Sequence, residues 1–309
     1  MDIFVATFEA IAMLLGIGVV GFLIIQRKVV SSKALSVLSS LVVDIALPCL
    51  IFVRIVKEFD PYAYTTWWHM PVWWGGLTVF FAVMAFGGCL VAKRQYRREF
   101  FLALFYQNAL FIPLTVLIGV FGDDSSHVIN LFFFTILFPL FLFNTYPYVF
   151  KHSAQQKSMR RIINPVLVAS LAAIGICYAQ LSAYIPDFVM MSFRHVGNMT
   201  IPLLMIVFGG NMYLDYTGRG KIHLFEVGKF VVMKNLVFPL VTLCIIIIMK
   251  LPESIAFLLL LESAVPPVTM APVITGRGGG NVSLVNQFLL GSFLFSVISL
   301  PFVFMLFTR

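Results

Sequence analysis

The stretch ESAVPPVTMAPVITGRGGGN, from Glu262 to Asn281, decides how this chain is read. It follows an unbroken apolar run, IAFLLLL (Ile255–Leu261), of the kind found in membrane helices. An acid then appears, prolines follow at Pro266, Pro267 and Pro272, and a glycine-rich exit ends the stretch. Hydrocarbon holds no water to satisfy a broken backbone, so a break at that depth is tolerated only inside protein or beside a wet cavity. A charge there costs about 2.5–3.5 kcal/mol on insertion scales and is rarely idle. A binding site is therefore expected at this break. Glu262 would bind sodium, carry a coupling proton, or stand as a paired structural residue.

Of the 309 residues, 61% are hydrophobic and 11% charged, which excludes an ordinary soluble domain. The net charge of +8 does not point to nucleic acid, because the basic residues sit in short loops between apolar runs and act as topology signals. Cys49, Cys89, Cys177 and Cys244 lie within apolar runs without a CxxC, so neither a disulfide nor a metal site is expected. The first run lacks a basic leader and a cleavage site and reads as a retained helix. There is no HExxH, and no Ser or Cys nucleophile has a histidine at its own depth. An intramembrane enzyme is thus the weaker alternative class.

At about 20 apolar residues per span, ten spans are predicted: Phe4–Ile25, Ala34–Val56, His69–Ala92, Phe100–Phe121, Val128–Phe150, Ile162–Ile185, Phe188–Tyr213, Phe230–Met249, Ser254–Thr275 and Val282–Phe307. Alternate loops are basic: Arg27, Lys28 and Lys33; Lys93, Arg94, Arg97 and Arg98; Lys151 to Arg161; Arg219, Lys221 and Lys229; Arg277. The opposite loops carry Glu58, Asp60, Asp123, Asp124, Asp187 and Glu253. The positive-inside rule places both termini outside, and Trp67, Trp68, Trp73 and Trp74 mark the outer interface. A linker, 151–161, separates 1–150 from 162–309. Five spans on each side of it insert upside down relative to each other, as in secondary transporters built from inverted repeats.

Internal likeness supports that division. Helix two reads VDIALPCLIF (Val43–Phe52) and helix seven GNMTIPLLMI (Gly197–Ile206); helix four reads NALFIPL (Asn108–Leu114) and helix nine ESAVPPV (Glu262–Val268). One offset of 154 pairs Pro48 with Pro202, Pro113 with Pro267, Asp44 with Asn198 and Asn108 with Glu262. Proline suits the first turn of a new helix. Two broken helices are therefore expected to cross near the midplane and offer half-helix amides to an anion.

The candidate binding set is Gln107, Asn108, Pro113, Pro266 and Pro267. The amide groups would serve a carboxylate or a cation equally well. Glu262 and Asp44 are candidates for ion or proton coupling, Asp44 also for fixing the scaffold. A sodium ion near Asn108 and Glu262 stays open; no other metal is indicated. Asn198, Arg194, Asn286 and Gln287 are candidates for lining a vestibule. Arg194 also reads as snorkelling to the interface, as do Arg54 and Lys234; Lys234 would otherwise neutralise Glu226 or Glu262. The GRGGGN loop lacks the Lys-Ser/Thr ending of a phosphate loop and reads as a turn.

The segments SLVVDIALPCLIF, QNALFIPLTVLIG and VGNMTIPLLMIVFGGNM, with helices nine and ten from Pro266 onward, resemble the auxin efflux carrier family of permeases in its compact prokaryotic form. The resemblance implies an all-α membrane protein of ten helices in two inverted five-helix repeats, with helices four and nine broken and crossing. The fold would be like that of bile acid symporters and sodium–proton antiporters. Helices 1, 2, 6 and 7 would form a scaffold that dimerises, and helices 3–5 and 8–10 a transport domain that moves as an elevator. Substrates would be small organic anions, auxin-like or mono- and dicarboxylates such as malate or malonate. No cofactor is implied, and the coupling ion would be H+, Na+ or none. The location would be the plasma (inner) membrane. Pro113 and Pro267 take the place of the family's crossover prolines, and Asn108 that of its carboxylate-binding asparagine. Phe111 departs from the glycine many members have there. A sodium-coupled symporter of the bile acid type is the nearest alternative.

Overall fold

In the lipid core each backbone N–H must find a partner within the protein, and helices meet that demand most simply. The structure, a computed structural model, describes residues 3–62, 64–122, 125–149, 165–217 and 222–307. The expected linker 151–161 and the pair Asp123-Asp124 lie outside the described residues. Within them the chain is helical apart from turns, loops and one isolated bridge.

The helices are α1 (Ile3–Gln26), α2 (Ser32–Leu41), α3 (Leu47–Glu58), α4 (His69–Gly88), α5 (Arg97–Phe105), α6 (Phe111–Phe121), α7 (Ser126–Thr135) and α8 (Phe138–Thr145). There follow α9 (Pro165–Tyr178), α10 (Asp187–Asn198), α11 (Thr200–Thr217), α12 (Leu224–Val232), α13 (Phe238–Met249), α14 (Glu253–Ala264), α15 (Ala271–Arg277) and α16 (Val282–Phe307). Six helical rods are long and apolar enough to cross a membrane: Thr7–Gln26, Ser32–Glu58, His69–Gly88, Asp187–Leu214, Leu224–Met249 and Val282–Phe307. The other four predicted spans appear as shorter pieces: α5 with α6, α7 with α8, α9, and α14 with α15.

Proline accounts for most of the irregularity. It lacks an N–H and clashes with the carbonyl four residues earlier, and a helix relieves that clash by widening locally. A π-helical turn, Val42–Ala46, joins α2 to α3 just before Pro48. A second, Met233–Val237, joins α12 to α13 just before Pro239. The α10–α11 break at Met199 likewise falls shortly before Pro202. Arg54, expected to snorkel, is turned inward at 8% exposure and donates to Glu58 Oε1 at 2.9 Å, because a carboxylate one turn away offers a nearer partner than the interface.

Two packing sets share α1. On one side α1 packs most extensively against α11, within a group that also includes α2, α3, α9 and α10. On the other it packs on α6 and α16, which belong with α4, α5, α7 and α12–α15. The α1–α11 contact is backbone to backbone. A Cβ built on Gly209 would run into the Gly18 carbonyl oxygen, and one on Gly21 into the Ile206 carbonyl oxygen. Small residues at such a crossing let membrane helices approach closely.

Gly209→Ala should therefore destabilise the protein by about 1–3 kcal/mol, the usual range for overpacking. Gly16→Ala, whose new Cβ meets nothing within 4 Å, should be neutral. Thermal unfolding of the two variants in the same detergent checks this; equal midpoints would refute the close crossing.

Candidate functional site

α5 ends at Phe105 and α6 begins at Phe111, while α14 ends at Ala264 and α15 begins at Ala271. The two breaks cross antiparallel. Asn108 N–H donates to the Pro266 carbonyl at 2.9 Å, and Val268 N–H to the Tyr106 carbonyl at 2.8 Å. Each piece contributes one carbonyl and one amide. Pro266 and Pro267 carry no N–H, so two donors that such a break would strand in a dry interior are absent. The double proline makes this extended stretch tolerable at that depth.

Which residues meet is distinct from which are equivalent in the repeat. The bridge sets Gln107 opposite Pro267, a separation of 160, whereas the internal repeat pairs Pro113 with Pro267 at 154. Pro113 is the third residue of α6, where its missing N–H is one the helix leaves unpaired anyway. Its positional counterpart is Pro272, the second residue of α15. Prolines mark where half-helices can begin, but backbone pairing decides which residues meet.

The side chains at the crossing are buried and incompletely paired. Asn108 Oδ1 accepts from Phe111 N–H at 3.2 Å, capping the start of α6 and fixing which way the amide faces. Among the described residues its Nδ2 has no partner. Gln107 Nε2 lies 3.5 Å from Glu262 Oε2, a long contact, and the other oxygen of the fully buried Glu262 has no partner. An unpaired buried donor or acceptor costs about 1–3 kcal/mol. One of each, at the same crossing, marks a place that a ligand's polar groups would fill.

Of the two readings of Lys234, snorkelling and neutralising a buried acid, the structure favours the second. Lys234 is fully buried in the second π-helical turn, where its Nζ donates to the Ser263 carbonyl at 3.4 Å. The Nζ lies 5.0 Å from the Phe81 ring centre and 5.1 Å from that of Phe238, and the carbonyl it meets belongs to the residue that follows Glu262. Snorkelling is excluded by burial: the side chain is turned into the protein, onto Ser263 and the two rings. A signal was present: Asn235 stands four residues before Pro239, just as Asp44 precedes Pro48 and Asn198 precedes Pro202. Asn235 Nδ2 donates to the Ser292 carbonyl at 3.1 Å, and Ser292 Oγ donates to Asn235 Oδ1 at 2.7 Å, which fixes this turn to α16.

The remaining candidates lie elsewhere. Asp44 is exposed on the first π-helical turn, and Arg194 and Asn198 are exposed on α10, away from Glu262. Asn286 is buried in the first turns of α16. Gln287, expected in a vestibule, accepts from His223 N–H at 2.8 Å and clasps the start of α12. The GRGGGN loop is a turn, as its composition implies: Gly279 has φ +69° and Gly280 N–H donates back to the Thr275 carbonyl at 2.9 Å.

Among known families the chain matches one described as "Membrane transport protein", over residues 6–158 and 145–304. No curated protein matches it.

A buried charge left alone costs more than a pair removed together. Lys234→Met should lower stability by about 1–3 kcal/mol, because the buried Ser263 carbonyl beside Glu262 loses its donor. Lys234→Met combined with Glu262→Gln should recover part of that loss. Strictly additive effects in a double-mutant cycle of chemical unfolding would show that the two side chains do not act on each other.

Proposed function

Because this chain belongs to the membrane transport protein family, that of the auxin efflux carriers, we propose that it is a secondary transporter of a small organic anion. The substrate is a mono- or dicarboxylate, malate- or malonate-like, or an auxin-like acid. The observation that carries this reading is the free Asn108 Nδ2 at the crossing, beside the amide start of the eleven-residue α6. A half-helix start and a side-chain amide both donate, and a carboxylate only accepts. Glu262 is the coupling residue. Lys234, whose Nζ reaches the carbonyl of the residue after Glu262, brings a basic group beside it, which favours a proton, or no coupling ion, over the sodium of bile acid-type symporters.

The wider mechanism is alternating access by an elevator. The ten predicted spans form two inverted five-helix repeats. The group α1–α3 with α9–α11 is the scaffold, and α4–α8 with α12–α16 is the moving body. Support comes from α1, which packs closely by glycine on α11 of the first group and also meets α6 and α16 of the second. The scaffold dimerises. Asp44, midway along an apolar rod, and Arg194 and Asn198 on α10 are exposed, and charged side chains at that depth rarely face lipid. The protein resides in the plasma (inner) membrane with both termini outside.

In proteoliposomes, a proton gradient should drive accumulation of a carboxylate found by thermal-shift screening. Glu262→Gln should abolish that accumulation while leaving substrate exchange. Accumulation by the variant at the parent's level would remove the coupling role. Stabilisation by sodium, rather than by carboxylate alone, would favour the symporter reading.

A further inference from the structure

Two loops at the basic end of the molecule are knitted into one surface. One follows α4 and the other leads into α12. Lys93 N–H donates to Glu226 Oε2 at 3.3 Å, and Lys229 Nζ donates to Glu226 Oε1 and to the Val91 carbonyl, both at 3.0 Å. The Tyr96 and His223 rings meet edge to face at 5.1 Å. The acids of this surface are turned inward. Glu226 is 2% exposed, and Glu99, at 6%, accepts from Asn281 N–H at 2.9 Å. What faces outward is positive: Lys93, Arg94, Arg97 and Arg98 are all exposed, and among the described residues none of them is ion-paired.

Beside these cations stand large, mostly exposed apolar side chains, one of which, Phe225, carries Lys229 Nζ over its ring at 4.5 Å. Leu90, Ile222, Leu224 and Phe225 are each more than two-thirds exposed. They sit at or just beyond the ends of two apolar rods, His69–Gly88 and Leu224–Met249. A soluble acidic partner would explain the cations but not the apolar rim. Free phosphate would explain neither the rim nor its position at the helix ends. Basic side chains at a membrane helix end attract anionic headgroups, and apolar neighbours sink into the headgroup–acyl boundary.

We propose that this surface, Lys93, Arg94, Arg97 and Arg98 with the apolar rim of Leu90, Ile222, Leu224 and Phe225, binds the headgroup of an anionic phospholipid. The bound lipid ties the α4–α5 loop and the start of α12 to one leaflet. The contact is set by charge rather than headgroup shape, since no pocket of fixed donors surrounds it. Because α12 leads into the π-helical turn that holds Lys234, lipid charge also bears on the helix that carries the buried cation.

Full-length protein in detergent, titrated with phosphatidylglycerol or phosphatidylcholine and read by native mass spectrometry, tests this without any transported substrate. The parent should retain phosphatidylglycerol preferentially. In a variant combining R94Q, R97Q and R98Q, that affinity should fall by about a hundredfold, as about 1 kcal/mol for each basic residue implies. The charge-preserving R94K, R97K, R98K variant should keep it, and R27Q with K28Q, on another basic loop, should leave it unchanged. I222Q with L224Q should weaken the lipid, and soluble glycerol phosphate should not displace it. Equal retention of the two lipids, no loss in the glutamine variant, an equal loss in the Arg27 and Lys28 control, or displacement by glycerol phosphate would each overturn the proposal.

Discussion

Backbone amides and carbonyls in hydrocarbon must be paired, and the crossing of residues 106–108 with 266–268 is where this chain meets that demand without a helix. Two hydrogen bonds join the strands, and two prolines remove the donors that would otherwise be stranded. Everything chemically unusual lies around this point. Asn108 caps α6, Gln107 reaches Glu262, and Ser263 receives Lys234. A continuous helix here would have satisfied the same backbone groups but left no half-helix start and no free side-chain amide.

The buried charges follow from the same constraint. Glu262 and Lys234 are both fully enclosed, yet no direct salt bridge within 4.0 Å joins them. Lysine is held by a carbonyl and two aromatic faces, glutamate by a long amide contact. Such a loose pair leaves one carboxylate oxygen unclaimed, whereas a tight bidentate pair would have used both. That looseness contrasts with a structural tie such as Arg54 with Glu58, whose members lie one turn apart on a single helix.

The π-helical turns show how a local sequence effect becomes a placement effect. Each precedes a proline at the second position of the next segment. The one at Met233–Val237 lies where Lys234 faces the crossing and Asn235 grips α16. The one at Val42–Ala46 leaves Asp44 outside, on a helix group that packs away from Glu262. The same motif, a polar residue four before proline, thus yields a buried clasp in one helix and an exposed charge in another. The difference lies in the neighbours.

Sequence by itself determined the membrane class, since no soluble fold buries so apolar a chain. It also located the breaks, because proline and an acid inside an apolar run have few physical readings. Gln107, Asn108, Pro266, Pro267 and Glu262 were legible for that reason, and the structure brings them to one crossing. Only the tertiary structure decided the register of that crossing, because hydrogen bonds between strands, not proline spacing, set Gln107 against Pro267. Only it placed Lys234 inside and Asp44 outside, because burial depends on what packs against a helix face. A single chain of letters states the face but not its neighbour.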